Sequence, residues 1–147
     1  MCVLARRGGR TVAAAMFSFY ITQPKDGLKH SRGQGRISVE AGAGALVDEA
    51  AANLLRDAGF WYIEIESLTT TSKTGSFLPA YYHEKLGYRV LKSKKRARER
   101  RDDGSGYDFW MEMHLGTSIP NKREYTTKTC ICMVKVLQTS KHKLSFI

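Results

Sequence analysis

Apolar and polar positions follow two rhythms along this chain, and the change of rhythm marks the change of element. Val12–Thr22 is an almost unbroken apolar run with aromatics, the pattern of a buried strand. Pro24–Gly35 is polar and holds Pro24, Gly27 and the bases Lys25, Lys29 and Arg32, so a loop is expected there. Ile37–Val39 is a short β-prone piece. From Gly44 to Ala58 the spacing turns helical. Leu46, Val47, Ala50, Leu54, Leu55 and Ala58 define the expected buried stripe, with Asp48, Asn53, Arg56 and Asp57 mainly on other faces. Gly59 follows where a helix ends in a left-handed residue.

The period then returns to two. Phe60–Glu66 reads as a strand with Trp61, Ile63 and Ile65 on one face and Glu64 and Glu66 on the other. Leu68–Ser76 is rich in Thr and Ser and reads as a loop. Pro79 suits the first turn of a helix that runs to Leu86 and closes at Gly87. Tyr88–Leu91 is a short strand, Lys92–Gly106 a basic connection, and Tyr107–Leu115 a cleanly alternating strand antiparallel to the one before. Gly116–Lys128 is a linker, and Thr129–Leu137 a further strand. Strands alternating with helices predict an α/β fold: a mixed sheet with helices on its faces and a parallel pair at its centre.

Composition adds a charge signal. The 147 residues suit one domain, and 24 Lys+Arg against 14 Asp+Glu give a net charge of +10. Anionic partners are favoured: nucleic acid, acidic surfaces or a phosphorylated cofactor. Cys2, Cys130 and Cys132 are too few and too unevenly placed for a disulfide framework. The Cys130/Cys132 pair lacks a second ligand pair for zinc, so two small residues on one strand face are expected in a reducing compartment. No run approaches the ~20 apolar residues of a membrane span. Arg6, Arg7 and Arg10 before the apolar run allow a transit or signal peptide. The position of the run favours a strand behind a basic end. The expected compartment is therefore the cytoplasm or nucleus, ahead of the mitochondrion.

Two glycine turns can bind a pyrophosphate through backbone N–H groups. Gly42-Ala43-Gly44-Ala45 opens the predicted helix, where the helix dipole helps. Arg32-Gly33-Gln34-Gly35 combines an arginine with glycines that permit close approach. Downstream, the segment Phe77–Tyr88 (FLPAYYHEKLGY) carries Tyr82 and His83 before Gly87. A phenol is protonated at neutral pH and can donate a proton or a hydrogen bond.

This order resembles the acyl-CoA-binding half of the GNAT N-acetyltransferases over residues 12–116, leaving 117–147 as a basic C-terminal extension. The resemblance implies a partial GNAT-like domain that transfers an acetyl group from acetyl-CoA to an amine, on a small molecule or a protein. It implies that one of the two glycine turns holds the pyrophosphate, and that Tyr82, or His83 in the more usual slot four before Gly87, serves the thiolate. Met16–Thr22 and Phe60–Glu66 would be splayed central strands along the pantetheine arm, with Phe17–Ile21 N–H groups polarising the thioester. Glu64, Glu66 and Glu112 are all expected as solvated strand residues, and none is assigned as general base. The family's first strands and helices have no counterpart before Val12. Val12–Thr22 is accordingly expected as an unpaired apolar edge that Thr129–Leu137 or another chain covers. Self-association and little turnover follow from that expectation.

The run Lys92–Arg101 supports an alternative: a non-catalytic basic module for nucleic acid or an acidic partner. No aromatic residue interrupts the bases within the run, which weakens binding of single strands by stacking.

Overall fold

The structure is a computed structural model that describes residues 1–22, 28–38, 42–138 and 142–146, with side chains described at 1–17, 42–108, 110–138 and 144–146. Its elements are β1 (Cys2–Arg7), β2 (Arg10–Thr22), β3 (Leu28–Ser38), α1 (Ala43–Asp57), β4 (Tyr62–Leu68), α2 (Leu78–Leu86), β5 (Arg89–Arg100), β6 (Tyr107–Leu115), β7 (Cys130–Val136) and β8 (His142–Phe146). The strands lie in the order β1-β2-β3-β4-β7-β5-β6-β8. β3/β4 and β6/β8 are parallel, and the other neighbours are antiparallel. The expected mixed α/β sheet, with a parallel pair near its middle, is present.

β5 is the joint of the sheet. Arg89 and Val90 pair with β7, whereas β5 pairs with β6 from Leu91 onward, across a register shift between Leu91 and Ser93. The strand therefore leaves the main sheet and continues as a long hairpin. Residues beyond 117 supply two strands, β7 between β4 and β5 and β8 against β6.

Both helices pack on one face. Val47, Ala51, Ala52 and Leu55 of α1 meet Ala13, Ala15 and Phe17 of β2 and Ile63 and Ile65 of β4, while Leu86 of α2 joins Tyr88 and Val90. The opposite face at β4 and β7 is closed by the root of the hairpin, with Trp61, Tyr62 and Val134 against Met113 and Leu115. Farther out on that face, Leu4 and Met16 are exposed.

Several expectations need correction. Val12–Thr22 is not an edge: β1 pairs with one side of it and β3 with the other. The parallel partner of β4 is β3, not Met16–Thr22, because Arg32–Gly35, read as loop, lies within a strand. Pro24–Asp26 and Val39 fall outside the described residues. Thr129–Leu137 does not cover an edge, since its strand inserts between β4 and β5. Lys92–Arg100 is strand rather than connection. Trp61 packs with Tyr62, on the face opposite Ile63 and Ile65.

The helix α1 forms as the helical spacing of apolar residues predicts, but it turns a different face inward. Leu46 and Leu54 are 63% and 55% exposed, and Ala50 and Ala58 face solvent as well. The buried stripe is Ala43, Val47, Asp48, Ala51, Ala52 and Leu55. Small residues let the helix lie close to the sheet, and this rotation also places Asp48 against two polar partners.

Candidate functional site

The ladder between the parallel strands is short. β3 and β4 are joined over three residue pairs, Ser31–Ile63, Arg32–Glu64 and Gly33–Ile65. Beyond them β3 continues to Ser38 on β2, and β4 continues to Leu68 on β7. Among the described residues no ladder joins the two strands past Gly33 and Ile65. Gly33 and Gly35 flank the point of parting, and glycine inside a strand often marks close approach of another backbone or a ligand. The ladder thus stops short of the C-terminal end of both strands, the end from which β3 leads on to α1.

At that end stands the N-terminus of α1. Gly42 holds the left-handed conformation at the N-cap, φ 80°, and no side chain caps the helix. No acidic residue occupies the first turn. The carbonyl of Gly42 accepts from the N–H groups of Ala45 and Leu46 at 3.2 and 3.3 Å. The N–H groups of Ala43 and Gly44 belong to the first turn, whose donors have no carbonyl one turn back. The two glycine segments that looked like rival turns in sequence differ in structure: one opens a helix and the other lies inside a strand. Gly42, Ala43, Gly44 and Ala45 form the helix start, while Arg32, Gly33 and Gly35 form the strand edge before it. The Arg32 side chain lies outside the described side chains.

A buried polar triad ties α1 to the sheet. Asp48 is 1% exposed, and its two oxygens accept separately: Oδ1 from the Tyr88 hydroxyl at 2.9 Å and Oδ2 from Lys135 Nζ at 2.7 Å. The Lys135 ammonium also lies 5.6 Å from the centre of the Tyr88 ring. A buried carboxylate held by a cation and a hydroxyl satisfies the requirement that interior charge be paired and hydrogen-bonded. The far end of α1 is fixed as well: Gln138 Nε2 donates to the carbonyls of Arg56 and Phe60.

The triad reaches α2. Phe77 caps this helix in extended conformation, Pro79 stands in its first turn, and Gly87 ends it with φ 75°. Tyr82 is half-buried and meets Tyr88 edge-to-face, with ring centres 5.7 Å apart, and Tyr81 at 6.0 Å. Tyr82 therefore joins the first turns of α1 through Tyr88 and Asp48. His83 points elsewhere, as one residue of helix requires. Its Nδ1 is shut off from solvent and has no hydrogen-bond partner among the described residues. Burial first, then the charge of Arg89, hold its pKa below the ordinary 6.5, against weaker pulls from the Tyr88 backbone and Glu84.

On the other face, Glu64 takes an ion pair from Lys94, and Lys94 also lies 6.0 Å from the Tyr62 ring centre. Burial, then the charge of Glu64, push the Tyr62 phenol well above its ordinary 10.0. Glu64 is thus tied to the root of the hairpin rather than simply solvated. Cys130 and Cys132 share a face of β7, two residues apart. Among the described residues no three metal-ligating side chains come together, and no helix is long and apolar enough to cross a membrane.

Sequence reading missed the Asp48–Tyr88–Lys135 triad. The only signal was an acid in a helix whose hydrophobic stripe could be drawn two ways. No protein-family model and no curated protein sequence matches the chain.

Proposed function

We propose that this chain binds acetyl-CoA across the opening between β3 and β4 and belongs mechanistically with the N-acetyltransferases. The observation that carries the reading is the parting of the parallel strands beside an uncapped, glycine-led helix. The opening offers main-chain N–H and C=O groups to the two amides of a pantetheine arm. The helix start offers N–H donors and the positive end of a dipole to the pyrophosphate. Gly42, Ala43, Gly44 and Ala45 are the anion site, and Gly33 and Gly35 line the arm.

In the reaction a neutral amine of the acceptor attacks the thioester carbonyl. The C–N bond forms, the C–S bond breaks, the thiolate takes a proton from the enzyme, and the surplus proton on the acceptor nitrogen passes to water, from which the donor is reprotonated. Tyr82 is the donor assigned here, because its helix is coupled to the start of α1 through Tyr88 and Asp48. His83 is the weaker choice, since its lowered pKa leaves it largely unprotonated at neutral pH.

The test is thermal melting with acetyl-CoA, compared with a nucleotide of equal phosphate count that lacks the pantetheine arm. Acetyl-CoA should raise the melting temperature by more than the nucleotide does, because only it fills the opening. Equal shifts from both would reduce the site to anion attraction by a basic protein. No shift from either would remove the reading.

A further inference from the structure

We propose that the β5–β6 hairpin is a docking arm for single-stranded nucleic acid. The site is the hairpin face that carries Lys94, Arg96, Arg98 and Arg100. It is independent of the acyl-CoA reading.

The register sorts the charges. Directly opposed residues of an antiparallel pair share a face. Lys94 stands opposite Met113, Arg96 opposite Met111, Arg98 opposite Phe109 and Arg100 opposite Tyr107. The other face takes Lys95 with Glu112, Ala97 with Trp110 and Glu99 with Asp108. Every acid of the paired span therefore lies on one face, and the arginines lie on the other. A hairpin built merely for solubility would place arginines across from acids, where opposite charges on directly opposed residues attract. Here the two acids Glu99 and Asp108 oppose each other, and Arg101 beyond the strand end relieves Asp108 at 2.9 Å.

The basic face also presents an aromatic ring, which the run Lys92–Arg101 by itself lacks. Tyr107 is 44% exposed, and the Arg98 guanidinium lies 4.8 Å from its ring centre. Bases stack on such a ring or on the guanidinium plane whatever their sequence. Alternate residues along a strand are ~6.7 Å apart, so the three arginines make an even row of phosphate contacts. A duplex hides the faces of its bases, whereas a single strand exposes them, and this favours the single strand. The arm is held at its root by the Lys94–Glu64 ion pair and by buried Met113. The net charge of +10 adds long-range attraction.

The test is fluorescence anisotropy with labelled oligo-dT and oligo-U of about a dozen nucleotides, titrated at several salt concentrations. The wild-type protein should bind both, with affinity falling steeply with salt. An Arg96→Gln/Arg98→Gln variant should flatten the log–log salt slope by about 1.4, two contacts at ~0.7 each. Tyr107→Leu should weaken binding about five-fold or more. Lys95→Gln, on the other face, should change little. Circular dichroism checks that each variant folds. If the double variant does not fold, the wild-type salt slope and the Tyr107→Leu affinity decide. Three results would each overturn the proposal: no binding at low salt, equal weakening by Lys95→Gln and Arg98→Gln, or equally tight binding of duplex and heparin with no effect of Tyr107→Leu.

Discussion

Asp48 shows how one residue can set the orientation of a whole helix. Its carboxylate is buried, and its two partners come from β5's entry and from β7. Removing it leaves Lys135 without its counter-charge, and breaking one side of a buried pair costs ~3–5 kcal/mol. Asp48→Ala should therefore lower stability by about that amount in urea unfolding, and Tyr88→Phe by less, since Lys135 still neutralises the acid. Equal urea midpoints for Asp48→Ala and the wild-type protein would show that the triad does not hold α1.

His83 makes a prediction with a definite sign. Its pKa is lower in the folded protein than the ordinary 6.5, so the unfolded chain binds the proton more readily. Its contribution is fully present above pH 6.5 and is lost as pH falls from there towards the folded-state value. The melting temperature should drop across that acid window, and His83→Gln should reduce the drop. A variant with the wild-type pH dependence would assign the loss to other groups.

At the scale of elements, α1 separates what was legible in the sequence from what was not. Its limits were readable from the helical spacing of its apolar residues and from Gly42 and Gly59. Its inward face was not, because Leu46, Ala50 and Leu54 form a second stripe as apolar as the true one. Hydrophobic spacing cannot weigh the close approach that Ala51 and Ala52 allow, or the partners that await Asp48. Replacing the exposed pair, Leu46→Gln and Leu54→Gln, should shift stability by no more than ~0.5 kcal/mol each. Leu55→Ala, on the buried side, should cost ~2–5 kcal/mol. Comparable losses at both sets of positions in chemical denaturation would contradict this packing.

β3 and β5 were misread for a related reason. Leu28–Ser38 and Lys92–Arg100 are polar, and a polar strand looks like a loop when only its own residues are considered. Each is held by backbone pairing with its sheet neighbours rather than by its own apolar residues: β3 by β2 and the more distant β4, and β5 by β6. The alternation of Tyr107–Leu115 did predict β6 to the residue. The glycine turn at Gly42 was legible as a helix start, whereas the place of Gly33 and Gly35 inside β3 required the sheet order.

For the whole molecule, the main sheet and the hairpin carry separate surfaces. The β3/β4 opening lies at the centre of the sheet, while the arginine row lies on an arm that leaves it at β5. Neutralising Arg96, Arg98 and Arg100 with glutamine should leave acetyl-CoA stabilisation unchanged and shift melting only slightly, as exposed charge changes do. A large loss of acetyl-CoA stabilisation would place the arm on the cofactor's phosphates instead.

In the proposed reading, the start of α1 and the β3/β4 strand ends beside it form an acyl-CoA site. Isothermal titration of acetyl-CoA into the wild-type protein and into Gly44→Glu tests it most directly. The added carboxylate stands in the first turn of α1, where it would compete with the pyrophosphate for the N–H donors. The prediction is saturable one-to-one binding by the wild-type protein and none by a Gly44→Glu protein that still unfolds cooperatively. Unchanged affinity in a folded Gly44→Glu protein, or no binding by the wild-type protein, would contradict the account.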